Sequence, residues 1–478
     1  MKKEFDYEKL PVVDIVNEMI LDAAKKNASD IHFDPTPTIL KVRIRVDGEL
    51  IDYADVPETI KNPLVTRIKI VSGMNITESR LPQDGAIKNV VEGANIDLRV
   101  STLPTVYGEK VVIRILDYSM STEGLESLGF SPKNYEKVKK MIETPNGIIL
   151  ITGATGTGKS TTVYSMLQIL NTSERNIITV EDPVEMKLNG INQVQTMSEI
   201  GLTFANALRS ILRQDPDVIM IGEIRDDETA RIAVRASITG HLVLSTIHTN
   251  NSLNTIERLL DMDVERYLLG SALEGIISQR LVKKLCPNCR SSRVSTEYER
   301  NVFKEVLGMD IKEVYTPVGC NECFNGYKGR IAVQEVLRID QVIRDAITNN
   351  YHKDELRKLV YSKDKTATLL EDGLLKVVDG LTSFEEILRV IDIEDDLGSE
   401  ETTIRNALIG KSVSPTPSAN NNAPTTPQQI NPNLNTQPTS NISSSKPSNT
   451  TPQPTNPNAL ELESIKIESL GAPGIDVL

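Results

Sequence analysis

The feature that most constrains this chain is the stretch at residues 153–160, which reads GATGTGKS. It matches every position of the pattern G-x-x-x-x-G-K-S, in which glycines let the backbone turn tightly and bring N–H groups onto phosphate oxygens. An apolar run at 147–151 precedes it, and a helical pattern at 160–170 follows it. This context disfavours a chance glycine-rich turn, because the N-terminus of a following helix attracts an anion. The sequence therefore predicts a nucleoside triphosphate site.

Each residue type in this loop has a defined task. Lys159 is expected to reach the terminal phosphates, and the Ser160 hydroxyl is expected to bind Mg²⁺. The residues predicted to contact the nucleotide are Gly153, Ala154, Thr155, Gly156, Thr157, Gly158, Lys159, Ser160 and Thr161.

Length and charge narrow the class of protein. The chain has 478 residues, enough for two or three domains, and a formal net charge of −13. This acidity argues against a nucleic-acid groove as the working surface, because phosphate neutralisation needs clustered Lys and Arg. No apolar run reaches the ~18–20 residues that span a bilayer, and no apolar segment follows the basic pair at the N-terminus as in a signal peptide. A cytoplasmic protein is expected.

The segment 1–118 is predicted to be a small α+β domain. Helical stripes run through 8–27 and 57–73, and alternating residues predict strands around 40–46, 96–100 and 111–115. Arg99 and Arg114 fall on the last two of these strands. From the pattern alone, each is as well explained by a solvated arginine on a half-buried strand as by a functional role.

From residue 145 to 280 the pattern changes to short apolar strands that alternate with helices, which predicts a parallel sheet with helices on both faces. The helices include 203–213 and 226–239. The strand candidates are 148–152, 177–181, 217–222 and 242–246. Ligands bind at the carboxyl ends of such strands.

Acids and histidines flank three of these strands. Glu181 ends the strand 177–181, and Glu223 directly follows 217–222, an arrangement that places a carboxylate near Mg²⁺ and the attacking water. His241 and His248 stand at the two ends of the strand 242–246. A lone histidine is usually structural, but two of the four in the chain bracket one strand beside a nucleotide site. We therefore expect functional roles for all four residues.

The four cysteines form two C-x-x-C pairs, Cys286 with Cys289 and Cys320 with Cys323, separated by thirty residues. Four thiolates make a closed tetrahedral Zn²⁺ site, which is structural because no position stays open for catalysis. The gap exceeds the usual ~15–20 residues. Redox pairs and unliganded thiols are the alternatives, but a reducing compartment favours metal over disulfides.

The last part of the chain is predicted to be a linker and a disordered tail, 395–478. Forty of the fifty residues at 411–460 are Asn, Gln, Pro, Ser or Thr. Such a segment cannot bury enough apolar surface to offset its ordering entropy. Apolar residues return at 460–478 and leave two interpretations open, a short docking peptide and a frayed end.

Sequence motifs along this chain resemble those of the type II/type IV secretion ATPases, the hexameric motors of type II secretion and type IV pilus assembly. The four nucleotide boxes are GATGTGKS, ITVEDPVE, IGEIRDDETA and GHLVLSTIHTN. Upstream the likeness includes SDIHFDP, VRIRVDGEL, RLPQDGAI and DLRVSTLPTVYGEKVVIRIL, and downstream GYKGRIAVQEVLRID and LLEDGLLKVVDGLTSFEEILRV. It covers roughly residues 8–392.

The resemblance implies an α/β architecture with a PAS-like N-terminal domain at 1–118. A RecA-like ATPase domain would follow at 119–394, with a zinc-binding subdomain at about 281–330 and a helical subdomain at about 335–392. Many assembly members carry a further N-terminal domain that docks on a membrane partner, whereas this chain begins almost directly at the PAS-like domain.

The same resemblance assigns roles to residues. Glu223 would be the general base on water, with Glu181 assisting at Mg²⁺ and His248 near the γ-phosphate. Arg99 and Arg114 match the family's arginine fingers. ATP, Mg²⁺ and a structural Zn²⁺ are the implied cofactors.

The function implied is a homohexameric ATPase that powers pilus or pseudopilus assembly at the cytoplasmic face of the inner membrane. It would associate with the membrane peripherally, through an inner-membrane platform protein, and would not bind nucleic acid directly.

Retraction ATPases generally lack the four cysteines, which favours assembly or secretion. A nucleotide-binding regulatory scaffold is one alternative, although the intact Lys159, Glu181 and Glu223 argue against it. A RecA-like motor acting on DNA is disfavoured by the negative charge, but a DNA-uptake pseudopilus ATPase stays possible.

Overall fold

Six antiparallel strands form the first sheet of the computed structural model, which describes residues 2–87, 96–117, 124–362 and 366–391. The predicted tail and the boundaries near residues 118 and 394 lie outside these residues. The strands lie in the order β3-β2-β1-β6-β5-β4. They are β1 (Ala28–Pro35), β2 (Ile39–Val46), β3 (Glu49–Pro57), β4 (Gln83–Ile87), β5 (Ile96–Thr105) and β6 (Gly108–Asp117).

Two helices, α1 (Val12–Lys25) and α2 (Glu58–Val71), pack on one face of this sheet. Alternate strand residues such as Ile31, Phe33 and Ile113 are buried beneath them. Because side chains alternate across a strand, the intervening residues lie on the opposite face. That face carries the charged residues Asp30, Arg99 and Arg114.

A second sheet of seven strands has the order β15-β12-β7-β11-β10-β8-β9. All neighbours are parallel except β12 and β15, which pair antiparallel at one edge. These strands are β7 (Gly147–Thr152), β8 (Ile177–Glu181), β9 (Asn192–Gln195), β10 (Val218–Ile221), β11 (Leu242–Ile247), β12 (Leu273–Leu285) and β15 (Tyr327–Arg338). The four predicted strands of this region agree with the structure to within one residue, whereas the long β12–β15 pair was not foreseen.

Helices cover both faces of the second sheet, because its strands are apolar on both sides. One core contains Leu150, Val180 and Leu208, and the other contains Ile149, Ile151 and Leu167. The helices are α3 (Pro132–Ile142), α4 (Lys159–Leu170), α5 (Phe204–Ile211), α6 (Asp227–Ile238), α7 (Ser252–Asp261), α8 (Arg266–Ala272), α10 (Gln341–Thr348) and α11 (Lys353–Val360). Helix α9 (Glu297–Leu307) belongs to a separate core.

The remaining elements share one further core around Phe303, Leu370 and Phe384. They comprise the ribbon β13 (Ser291–Val294) with β14 (Glu313–Thr316), and the helices α9 (Glu297–Leu307), α12 (Leu369–Val378) and α13 (Phe384–Val390). The segment with the cysteines and the C-terminal helices therefore pack as one layer. No helix among the described residues is both long and apolar enough to cross a bilayer.

Candidate functional site

The loop between β7 and α4 has the conformation that phosphate binding requires. Gly158 precedes the first residue of α4 at a φ of 86°, a left-handed conformation that favours glycine. A Cβ on Gly153 would lie 2.6 Å from the Gln279 carbonyl oxygen, so a side chain has no room there. The Ser160 hydroxyl lies in the exposed first turn of α4. The loop and this hydroxyl therefore fit a magnesium-bound triphosphate at the helix N-terminus.

Lys159 lies folded against this loop. Its Nζ donates to the carbonyl oxygens of Gly153 at 2.8 Å and Ala154 at 3.0 Å. Burial lowers the pKa of Lys159; the Glu223 carboxylate opposes this shift and the Arg280 charge adds to it, and the pKa ends below its ordinary value. A buried ammonium beside the loop is placed to exchange these carbonyls for phosphate oxygens.

Gln279 on β12 makes hydrogen bonds to the phosphate-binding loop and to α4, and no motif in the sequence points to it. Its Nε2 donates to the Thr157 carbonyl at 2.8 Å, and its Oε1 accepts from the Thr162 hydroxyl at 2.9 Å. Its neighbour Arg280 donates to the Asn250 carbonyl at 3.1 Å, so a further cation lies between this loop and the segment after β11. Gln279 and Arg280 lie near the loop because β12 pairs with β7, the strand that precedes the loop.

Glu223 and His248 meet at the carboxyl ends of β10 and β11. The His248 Nε2 lies 3.4 Å from one Glu223 carboxylate oxygen, and Arg225 donates to the other at 2.5 Å. Burial by itself would raise the pKa of Glu223, but Arg225 and the charges of His248 and Lys159 hold it below its ordinary value. Glu223 is therefore ionised at neutral pH, as a general base must be.

The Glu181 side chain is buried and accepts hydrogen bonds from three other side chains. Its carboxylate accepts from Tyr164 and Thr179, each at 2.5 Å, and from Gln193 at 3.0 Å, and the residue is 3% exposed. The structure thus places Glu181 inside a hydrogen-bonded network behind the loop at 182–186. Among the described residues it makes no hydrogen bond to Ser160 or Glu223, and its expected role at Mg²⁺ stays a prediction.

The structure separates the two histidines. His241 precedes β11, where its carbonyl accepts from the Gly147 N–H at the start of β7, and its ring lies 2.9 Å from the Ala236 carbonyl. His248 follows the other end of the six-residue strand, about 23 Å along the chain at ~3.3 Å per residue. His241 is therefore not brought to the nucleotide loop, because the two ends of a parallel strand lie at opposite edges of the sheet.

Arg99 and Arg114 project from the face of the first sheet opposite its helices. Arg99 donates to the Val184 carbonyl at 3.0 Å and lies 3.5 Å from the Glu185 carboxylate, so it touches the segment that follows β8 in the second sheet. Arg114 pairs with Asp30 at 3.1 Å within its own sheet. Among the described residues, Arg99 contacts a loop of the second sheet, whereas the ion pair of Arg114 is with Asp30 of its own sheet.

The four cysteine sulphurs converge on one point. All lie within 4.8 Å of one another, with 3.9 Å between Cys286 and Cys320 and 3.6 Å between Cys289 and Cys323. Tetrahedral Zn–S bonds of ~2.3 Å require sulphur separations of about 3.8 Å, whereas a disulfide requires ~2.05 Å. The N–H groups of Gly319 and Cys320 point at two of the sulphurs. The donor set fits a four-coordinate structural Zn²⁺.

The protein-family model described as "Type II/IV secretion system protein" matches residues 6–389 of this chain. The chain belongs to this family. It is 46% identical over 381 residues to the type II secretion system protein E of Aeromonas hydrophila, which covers 80% of this chain and 75% of that protein. It is 45% identical over 379 residues to the type IV pilus assembly ATPase PilB of Thermus thermophilus, covering 78% of this chain and 42% of that one.

Solved structures agree with this assignment. The pilus retraction motor PilT with bound ADP is 27% identical, with a TM-score of 0.55, and the match covers 78% of this chain and 96% of PilT. The ATPase DotB of Legionella pneumophila has a TM-score of 0.60 at 23% identity, which supports the fold. This member of the type II/IV secretion family is accordingly a P-loop enzyme that hydrolyses ATP.

Proposed function

We propose that this ATPase is a homohexameric motor that powers pilus or pseudopilus assembly at the cytoplasmic face of the inner membrane. It would act there through a platform protein of the machine. The observation that carries the proposal is the contact of Arg99 with Val184 and Glu185, because it links the N-terminal sheet to a loop of the ATPase sheet. A motor needs such a joint, since hydrolysis must change the relation between two domains.

The proposed chemistry begins at the loop 153–160, whose N–H groups and Lys159 hold the phosphates of the substrate. Glu223 takes the proton of the attacking water, and His248 beside it orients this carboxylate. The Ser160 hydroxyl would hold Mg²⁺, which would neutralise charge on the phosphates. Glu181 is proposed to assist through the ordered loop that it anchors.

Arg99 and Arg114 supply the remaining positive charge. Transition-state charge in phosphoryl transfer spreads over the γ-phosphate oxygens, and an arginine finger is worth ~10³–10⁵ in rate. Because both arginines belong to the N-terminal sheet, they reach the nucleotide by closure of that domain. Closure couples the nucleotide state to domain rotation, which is the mechanical output.

The tip between β5 and β6 supports assembly into a ring. Leu103, Val106 and Tyr107 are 52%, 93% and 52% exposed there. Clustered exposed apolar side chains mark protein interaction sites. In a ring, closure of one subunit would move the neighbour packed against it.

The ring is tested by measuring specific ATPase activity against protein concentration, with mass measured in parallel. Activity should rise until the hexamer forms. Lys159→Ala protein mixed into wild type should lower activity by more than dilution, because one inactive subunit stalls its neighbours. A monomer with full, concentration-independent activity would refute the ring.

In cells, Glu223→Gln should abolish surface pili or secretion, and unchanged levels of both would refute the assembly role.

A further inference from the structure

A row of charged side chains crosses the outer face of the N-terminal sheet. The strand register places Arg99 opposite Arg114, Arg114 opposite Asp30, and Asp30 opposite Arg45. Residues directly opposite on neighbouring strands point to the same face and interact. The row therefore contains three arginines and one carboxylate, and this carboxylate lies between Arg114 and Arg45.

Asp30 is built into this row. The residue is 7% exposed, its Oδ1 accepts from the Arg114 Nε at 3.1 Å, and its Oδ2 accepts from the Ser29 hydroxyl at 2.8 Å. Arg45 lies 3.8 Å from Oδ2. The carboxylate is thus fixed by three groups, and its orientation does not depend on Arg114 alone.

The Arg114 guanidinium is fixed at one edge only. Its side chain is 64% exposed, and within the described part of the chain Asp30 is its one ion-pair partner. The bond uses Nε and does not involve the two Nη groups. A guanidinium held by Nε can still present a two-pronged donor to an anion.

We propose that Asp30 is a positioning residue that aims the Arg114 guanidinium at the phosphates during domain closure. This inference rests on the catalytic role proposed above for Arg114. A long exposed side chain loses conformational entropy when it is immobilised, and a carboxylate that holds Nε in advance reduces that loss at the moment of reaction. Asp30 does not contact the substrate; it acts through Arg114.

Asp34 provides a matched control. It lies on the same strand and face, four residues from Asp30, and pairs with Arg43 at 2.7 Å and with Lys110. Neither of these partners is proposed to reach the nucleotide. Asp34→Asn therefore removes a comparable ion-paired carboxylate without disturbing Arg114.

The test is a double-mutant cycle on the full chain, with kcat and KM for ATP and the melting temperature of each variant. Asp30→Asn should lower kcat about 3- to 10-fold while KM changes less than about 2-fold. In the Arg114→Ala background, Asp30→Asn should cause no further loss, because its effect passes through Arg114. Asp34→Asn should leave kcat unchanged in both backgrounds.

The outcomes separate the two claims. Full kcat for Asp30→Asn beside an impaired Arg114→Ala would overturn this inference alone, and so would losses that multiply in the double variant. Normal kcat for Arg114→Ala would overturn its proposed catalytic role and this inference together. If Asp30→Asn does not fold, Ser29→Ala tests the same carboxylate, and it should give a smaller kcat loss that vanishes without Arg114. An equal loss in both backgrounds would contradict the proposal.

Discussion

Arg99 and Arg114 lie directly opposite each other on antiparallel strands β5 and β6. Like charges in this relation destabilise a sheet. In the structure, Glu185 and Asp30 place carboxylates against the two guanidinium groups. Triphosphate oxygens would supply the same negative charge, so the pair suits a site that exchanges a protein carboxylate for a bound anion.

Arg99→Ala should lower kcat about 10- to 100-fold with a modest rise in KM, because one of two cations at the transition state is lost. Steady-state phosphate release measures both constants. Arg43→Ala is the control, since Arg43 lies on the same sheet face but pairs with Asp34. Wild-type turnover in Arg99→Ala would remove this residue from the site and leave the ring untouched.

Substitutions of Lys159 and Glu223 should impair different steps, ATP binding and ATP hydrolysis respectively. Lys159→Ala should abolish tight ATP binding, because it removes the cation of the phosphate loop. Glu223→Gln should keep binding within a few-fold and lower turnover by about 10²–10⁴, the usual contribution of a general base. Nucleotide affinity and phosphate release separate the two effects. Hydrolysis by Glu223→Gln at the wild-type rate would show that another group is the base.

Purified protein should hold about one Zn²⁺ per chain through Cys286, Cys289, Cys320 and Cys323. Cys286→Ser should lower the melting temperature and the zinc content while nucleotide affinity stays nearly unchanged, because the thiolates brace the layer formed with α12 and α13. Elemental analysis and thermal melts check both statements. Finding no zinc in freshly purified, unchelated protein would contradict the assignment.

Lys137 gives a pH-dependent stability prediction. Burial and the nearby charge of Lys133 lower the pKa of Lys137 to about 8, with Glu335 opposing the shift. Between pH 8 and the ordinary value of 10.5 the unfolded chain binds more protons than the folded one, so the penalty of burying this charge is complete below pH 8 and fades as pH rises.

Lys137→Met also removes the hydrogen bond from Nζ to the Val336 carbonyl at 3.0 Å. The pH trend is therefore the test: the melting temperature of Lys137→Met relative to wild type should be highest at pH 7 and should fall by pH 10. The change in relative stability across this range should be about 1 kcal/mol, because solvent screens a side chain that is only partly buried. Lys140→Met, an exposed change on the same helix, should show no such pH trend. A constant difference across this range would mean that ionisation of Lys137 does not cause the effect.

Local sequence was sufficient for much of the fold. Short-range sequence signals were enough to predict the phosphate loop, the strands at 177–181 and 242–246, and the clustering of the four cysteines. A strand is read from a few apolar neighbours, and a metal site is read from paired thiols. The same locality explains why the long β12–β15 pair was missed, since its two strands are far apart in the chain.

Tertiary structure decided which of the candidate residues lie close together. His241 and His248 look equivalent in sequence, but the direction of β11 puts them at opposite edges of the sheet. Glu181 ends a strand as predicted, yet Tyr164, Thr179 and Gln193 enclose it. Asp30 meets Arg114 only through the pairing of β1 with β6. Sequence specifies which groups are present, whereas strand order and register set the distances on which hydrogen bonds and ion pairs depend.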